Sequence, residues 1–327
     1  MNVMVTGGTG AMGSWVTRRL VEMGHKPICY DWIADTRLLH DISDKFTVVK
    51  GDVTDLGTII KTMKEYEVER VIHMAYLITE SEERPRLALN VNLGGTLNIL
   101  EAAALSGIKR VVFTSSKGVY GDIVGDHGYP MYKPITEDHP ANASRIYSST
   151  KLACEQFGLH YAEKEGLDFV ALRFANTFGP GKTIEKHAQF SLVGGMLENA
   201  LRGEPTNIPM GGDSKDDLLY YKDVAQSVVK ATLSEGMKHR IFHFGIGKAF
   251  SLHDVAEAVK KVVPSAVIEI GPGLDYKYKG QRPFDGYCVL DTTRARNEIG
   301  FEPEFDLESA MQDYANELGR LNLVQKT

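Results

Sequence analysis

The 327 residues carry 37 Lys and Arg against 43 Asp and Glu, a net charge of -6, with 43 % hydrophobic and 24 % charged residues. This is ordinary globular composition, and the absence of a basic cluster argues against a nucleic-acid partner. No apolar run nears the ~18 residues that span a bilayer. The chain opens directly on a strand-like segment, and Cys29, Cys154 and Cys288 are too scattered for a disulfide framework or a zinc site. The expectation is a cytoplasmic protein with no membrane partner and no bound metal.

Short β-rich runs alternate with longer helical patterns through the first half. Strands are predicted at 3–6, 26–30, 46–49, 70–74, 110–114 and 169–173, and helices at 12–23, 56–66, 87–105 and 147–165. This rhythm predicts an α/β fold, a Rossmann-type doubly wound parallel sheet. Val3-Met4-Val5 and Val111-Val112-Phe113 are continuous apolar runs, as strands buried on both faces should be. Beyond about residue 175 the rhythm becomes irregular. Helices are predicted near 187–202, 223–235, 251–262 and 306–320, with short strands near 240–244 and 267–270. Residues 1–175 are therefore read as the dinucleotide-binding domain, its sheet open to completion by 240–244. Residues 176–327 are read as a smaller C-terminal α/β lobe for substrate.

Gly7, Gly10 and Gly13 stand at GxxGxxG spacing between the first strand and the first helix. Glycines permit the tight turn and close backbone approach. The helix N-terminus, here with Ala11 and Met12, offers free N–H groups and a positive dipole end to a pyrophosphate. Asp31 ends the second strand about twenty residues later, where a carboxylate accepts from a ribose diol and repels a 2′-phosphate. It favours NAD over NADP, although Arg18 and Arg37 lie close in sequence. Asp52 and Val53 follow the third strand. Asp52 either meets the adenine amino group or caps the helix that begins near Asp55.

Tyr147 and Lys151 lie four apart on one helix face. An ammonium beside a phenol favours phenolate, lowering a pKa normally about 10 and suiting the Tyr for proton transfer to and from a hydroxyl. Thr114-Ser115-Ser116 ends the fifth strand, at the carboxyl edge where open α/β sheets bind ligands. His73, inside an apolar strand, reads as packed. Met12, Met23, Met63 and Met196 read as core fillers.

These segments together resemble an extended short-chain dehydrogenase/reductase, the NAD-dependent epimerase/dehydratase family typified by UDP-galactose 4-epimerase. The likeness runs over nearly the whole chain through GGTGAMG at 7–13, GDVTD at 51–55, VIHMAY at 71–76, NLGGT at 92–96, FTSSKGVYG at 113–121, YSSTK at 147–151 and LRFANTFGPG at 172–181. The resemblance implies that Ser116, Tyr147 and Lys151 are catalytic, and that Lys151 also holds the nicotinamide ribose. It implies that Met74, Ala75, Tyr76 and Asn92 approach the dinucleotide, that Asn176 faces a small-molecule substrate, and that the protein is a homodimer. Family dehydratases carry Asp-Glu where this chain has Lys117-Gly118, which makes dehydration unexpected and sets Lys117 beside the substrate.

Counting back from Asp223-Val224-Ala225, Asp216 stands where many nucleotide-sugar enzymes place an Arg against the diphosphate. Arg282 matches their other phosphate arginine. A carboxylate at that position repels phosphate where a guanidinium would fork onto it. The leading expectation is therefore an NAD-dependent oxidoreductase that takes hydride from a secondary alcohol of a small polyhydroxy substrate, such as a sugar, sugar acid, polyol or hydroxy amino acid. A nucleotide-sugar 4-epimerase is the first alternative, and a non-catalytic NAD sensor the second. The stretch 121–146 is read as a rigid lid or, equally, a plain surface loop.

Overall fold

Six apolar runs become parallel strands whose neighbours are supplied by helical crossovers, and all but the partly exposed edge run at 47–50 are buried on both faces. The computed structural model describes residues 1–78, 80–181, 192–274 and 286–323. The strands are β1 (Asn2–Thr6), β2 (Lys26–Asp31), β3 (Thr47–Lys50), β4 (Arg70–His73), β5 (Arg110–Ser116) and β6 (Asp168–Phe174). The later strands are β7 (Asn176–Phe178), β8 (Thr206–Ile208), β9 (Lys215–Asp216), β10 (Leu218–Tyr220), β11 (Ile241–Phe244), β12 (Phe250–Ser251) and β13 (Ile268–Ile270). A seven-stranded sheet runs in the order β11-β6-β5-β4-β1-β2-β3, every pair parallel. The strand β11 returns to pair with β6, so the chain revisits the large sheet after building part of the C-terminal region.

Alternate residues of one strand feed opposite cores. Val3, Val5, Ile72, Val112 and Val170 pack under the helices Ala11–Glu22 and Tyr221–Leu233, with Trp15, Leu20, Val224 and Val228. Met4, Val71, Val111, Phe113 and Phe169 pack on the other face with Ile59, Ile99, Leu100 and Cys154. Burying both faces fixes the register, since a slip of one residue would exchange the two cores. A separate C-terminal core joins Met196, Leu197, Tyr220, Val255, Met311 and Tyr314. Of the expected methionine fillers, Met63 and Met196 are buried, Met12 is partly so, and Met23 is about half exposed at its helix C-cap.

One predicted helix differs in form. The stretch 87–105 is not continuous. Pro85–Ala88 runs into a π-helical turn over Leu89–Gly94, and the α-helix proper is Gly95–Ser106. The wide turn carries Asn92 into the interior, where Thr96 Oγ1 donates to its carbonyl at 2.6 Å. Such turns concentrate at functional sites because they re-aim a side chain without ending the helix.

Candidate active site

The order of strands reverses between β4 and β1, and the carboxyl ends there open the crevice in which doubly wound sheets hold ligands. The glycine turn sits at this edge. Gly7 takes a φ of 70°, and a Cβ on it would lie 3.0 Å from the Ala75 nitrogen. A Cβ on Gly13 would meet the Gly7 carbonyl at 2.0 Å. Side chains are thus excluded where the turn folds onto the helix. Gly10 stands as N-cap of Ala11–Glu22 with no side chain over the helix end, and Met12 lies within its first turn. The sequence fits a pyrophosphate placed against these N–H groups.

Asp31 ends β2 and turns toward the glycines. Its Oδ2 accepts from Thr9 Oγ1 at 2.8 Å and Thr9 N at 3.2 Å. Burial raises its pKa and the Thr9 bonds oppose that rise. The two nearby arginines are committed elsewhere. Buried Arg18 forks onto Asp41 and the Leu38 carbonyl, and Arg37 holds Asp35 at 2.6 Å. Arg18 is spent inside the fold, whereas Arg37 stays largely exposed in a surface pair. The helix cap after β3 is Asp55, which accepts from Thr58 N at 3.1 Å. Asp52 instead closes a short turn through Thr54 N at 2.8 Å, and Val53 is buried against the helix Gly95–Ser106.

Thr6, a polar residue closing an apolar strand, proves central. Its Oγ1 accepts from Met74 N and Ala75 N at 3.1 and 3.2 Å and contacts His73 Nδ1 at 2.7 Å. His73 is packed as expected; burial, then Lys151, holds it down at about 3, so it is neutral. Asn92 differs from expectation. Its amide accepts from Leu77 N at 2.8 Å and donates to Leu77 O at 2.9 Å. It therefore clamps the 74–77 loop instead of offering a free group to a dinucleotide.

Lys151 is buried, and its Nζ donates to Thr114 O at 2.5 Å at the end of β5. It lies 3.4 Å from the Tyr76 ring centre and 5.8 Å from that of Tyr147. Tyr76 meets Tyr147 edge-on at 5.7 Å and donates its hydroxyl to Thr150 at 2.8 Å. Burial lowers Lys151 to about 7, with Cys154 and Glu155 opposing. Ser116 accepts from Gly118 N at 3.0 Å, two residues beyond the Lys151 anchor. The three residues expected to be catalytic thus converge on one edge.

Beneath them, Arg173 forks onto Glu155 at 2.9 and 2.6 Å, and Ser115 donates to the same carboxylate at 2.5 Å. This buried pair locks β5, β6 and the helix Ile146–Lys164 together. Arg173 also donates to Glu137 O at 3.1 Å, and Ile135 exchanges backbone bonds with Val289 and Asp291. The stretch 121–146 is therefore strapped to the sheet.

Two substrate expectations change. Lys117 is 6 % exposed, and its Nζ donates to Asp216 Oδ1 and, at 3.0 Å, to Gly286 O. Its ammonium is spent on Asp216 and does not reach for substrate. Asp216 is in turn no bare carboxylate, since its charge is paired with Lys117 inside the protein. Asn176, on β7, lines a pocket with Asp216, Ser214, Leu218 and Phe250. Arg282 lies outside the described residues.

Residues 3–245, which include the glycine turn, Asp31 and the Tyr147–Lys151 helix, match a family model described as the NAD dependent epimerase/dehydratase family. The chain belongs to that family. It is an NAD-dependent enzyme of the short-chain dehydrogenase/reductase superfamily. Among its relatives is a UDP-glucose 4-epimerase of Mycolicibacterium smegmatis, 31 % identical, the match covering 94 % of this chain and 95 % of that one. A UDP-glucose 4-epimerase of Bacillus subtilis is 29 % identical over 96 % and 95 % of the two chains. Among solved structures, the UDP-glucose 4-epimerase of Thermotoga maritima with UDP-glucose superposes with a TM-score of 0.84 at 24 % identity, covering 98 % of this chain and 99 % of that one. The Brucella ovis UDP-glucose 4-epimerase in complex with NAD gives 0.79 at 25 % identity, covering 97 % and 98 %. No helix among the described residues is long and apolar enough to cross a membrane.

Proposed function

We propose that this family enzyme is a nucleotide-sugar 4-epimerase, inverting a hydroxyl-bearing carbon by oxidation and return. The observation that carries the reading is the convergence of Ser116, Tyr147 and Lys151 at the carboxyl edge of β5, beside an NAD turn read by Asp31. Full-length relatives named UDP-glucose 4-epimerases support it, and weigh it above the small-substrate oxidoreductase that Asp216 suggests on sequence.

NAD, when bound, takes a hydride from the substrate carbon and can return it. Gly7, Gly10, Ala11, Met12 and Gly13 would hold its pyrophosphate, Asp31 its adenosine ribose, and the 74–76 loop its flank. Tyr147 removes the hydroxyl proton as the C–H bond breaks, and gives it back when the ketone is reduced on its other face. Lys151 stabilises the Tyr147 phenolate electrostatically and Ser116 orients the reacting oxygen. The Arg173–Glu155 pair keeps this edge rigid.

A second reading is kept because a specific observation favours it. Asp216 offers no phosphate anchor, which suits a small polyhydroxy substrate whose ketone leaves together with NADH. Incubation with UDP-galactose and, separately, with sugar acids, polyols and hydroxy amino acids distinguishes the two. Conversion to UDP-glucose without net NADH supports the epimerase. NADH growing with a small substrate, and no UDP-sugar conversion, overturns it. We also propose that the protein is a homodimer through the helices Gly95–Ser106 and Ile146–Lys164, to be checked by sedimentation.

A further inference from the structure

Asp216 and Asp217 are neighbours in sequence, both buried, and used in opposite ways. Asp217 spends both oxygens on backbone: Oδ1 accepts from Ile246 N and Gly247 N at 3.0 and 3.1 Å, and Oδ2 from Gly247 N and Leu290 N at 3.2 Å each. It pins the connection between β11 and β12 to Leu290, which is a structural task. Asp216 is only half used. Its Oδ1 takes Lys117 Nζ and Cys288 N, the latter at 3.3 Å. Its Oδ2 is buried with no hydrogen-bond partner among the described residues, in a side chain only 8 % exposed.

A carboxylate oxygen without a donor is among the least tolerated groups in a protein interior. Asp216 itself borders a pocket. Asp216 lines it with Asn176 and Ser214, against walls from Leu218, Phe250 and Val255. Lys117 reaches Asp216 from the residue directly after Ser116, which ties the pocket to the catalytic edge.

We propose that Asp216 Oδ2 is a specificity-determining acceptor for a donor group of the substrate, a hydroxyl or an amide N–H. Lys117 serves as the buried counter-ion that aims the carboxylate and opposes the upward push of burial on its pKa. Phosphoryl and carboxylate oxygens have no proton to offer this atom at neutral pH, so the pocket selects against them there. The inference rests on the proposed function for the identity of the substrate, but not for the existence of the acceptor.

The test uses the NAD-loaded protein, with UDP-galactose as probe, and two variants. Asp216→Asn replaces the free acceptor by a donor. The double variant K117M/D216L removes both charges, so that no lone ammonium is left buried. Losing a hydrogen bond to a charged group raises KM by about 10- to 100-fold. That rise is expected in both variants, with kcat held within a few-fold. Replacing a buried ion pair by apolar residues is commonly tolerated, but K117M/D216L also strips the Gly286 carbonyl and the Cys288 N–H of these partners, so a moderate fall in melting temperature is expected and the melting curve serves to show that the variant is folded. An unchanged KM in both variants overturns the proposal. Wild-type protein that does not turn over UDP-galactose refutes the epimerase reading instead. KM on whichever small polyhydroxy substrate is turned over then decides the role of Asp216.

Discussion

Gly13→Ala is a one-carbon change with a large expected effect. The new Cβ would sit 2.0 Å from the Gly7 carbonyl oxygen and 2.9 Å from Gly8 Cα. An ordinary carbon–oxygen contact is about 3.3–3.6 Å, so the helix start must withdraw by more than about 1 Å. Every clashing atom is backbone, and the turn is held by Gly7 N to Tyr30 O at 3.0 Å, Gly10 N to Gly7 O at 3.1 Å and Ser14 N to Gly10 O at 2.9 Å. Withdrawal therefore breaks the geometry that presents N–H groups to the pyrophosphate. Overpacking of this kind costs about 1–3 kcal/mol, and the misplaced donors should lower NAD affinity by about 10- to 100-fold. Gly195→Ala, in the helix Leu192–Leu201 with nothing within 4 Å of its Cβ, is the control. It should bind NAD normally and gain about 0.5–1 kcal/mol. Calorimetric NAD titration of the folded variants checks this, and Gly13→Ala binding within threefold of wild type would refute the reasoning.

Other outcomes follow from the same geometry. Asp31→Asn keeps an oxygen for Thr9 but removes the charge, so the preference for NAD over NADP should fall by about tenfold, measured by competitive binding. Lys151 binds its proton less tightly folded, at about 7, than its ordinary 10.5. The cost of burying its charge is therefore full below pH 7 and is relieved as pH rises toward 10.5. Denaturant titration of the NAD-free protein should find wild type gaining up to about 5 kcal/mol over that window relative to Lys151→Met; equal slopes for the two would contradict it. Arg173→Leu leaves Glu155 buried and unpaired, and should lose about 3–5 kcal/mol in the same assay. A loss under 1 kcal/mol means that the pair does not organise β5 and β6.

The parallel sheet and the strand–turn–helix placement of the glycines were legible because their signals are local. Continuous apolar runs mark strands buried on both faces, and the glycine spacing acts within seven residues. Tyr147 and Lys151 were legible for the same reason, four residues apart on one helix. Thr6 and Thr9 were missed, though a polar residue closing a buried strand and a Thr inside the glycine turn both carry a signal. The Asn92 clamp was illegible because it depends on a π-helical turn that no apolar periodicity announces. The Lys117–Asp216 pair joins residues 99 apart, so Asp216 looked like an exposed repulsive charge when its counter-ion was already folded beside it. Substrate pockets assembled from β7, β9, β10 and β12 leave no contiguous motif to read.

The most direct test of the central claim is a label on the reacting carbon. UDP-galactose carrying deuterium at C4 is incubated with the NAD-loaded protein and the UDP-glucose formed is examined by NMR. Return of the same hydride predicts deuterium retained at C4 of the product, with no net NADH, and loss of the reaction in Tyr147→Phe. Deuterium exchanged with solvent, conversion surviving in Tyr147→Phe, or no UDP-glucose at all would contradict it.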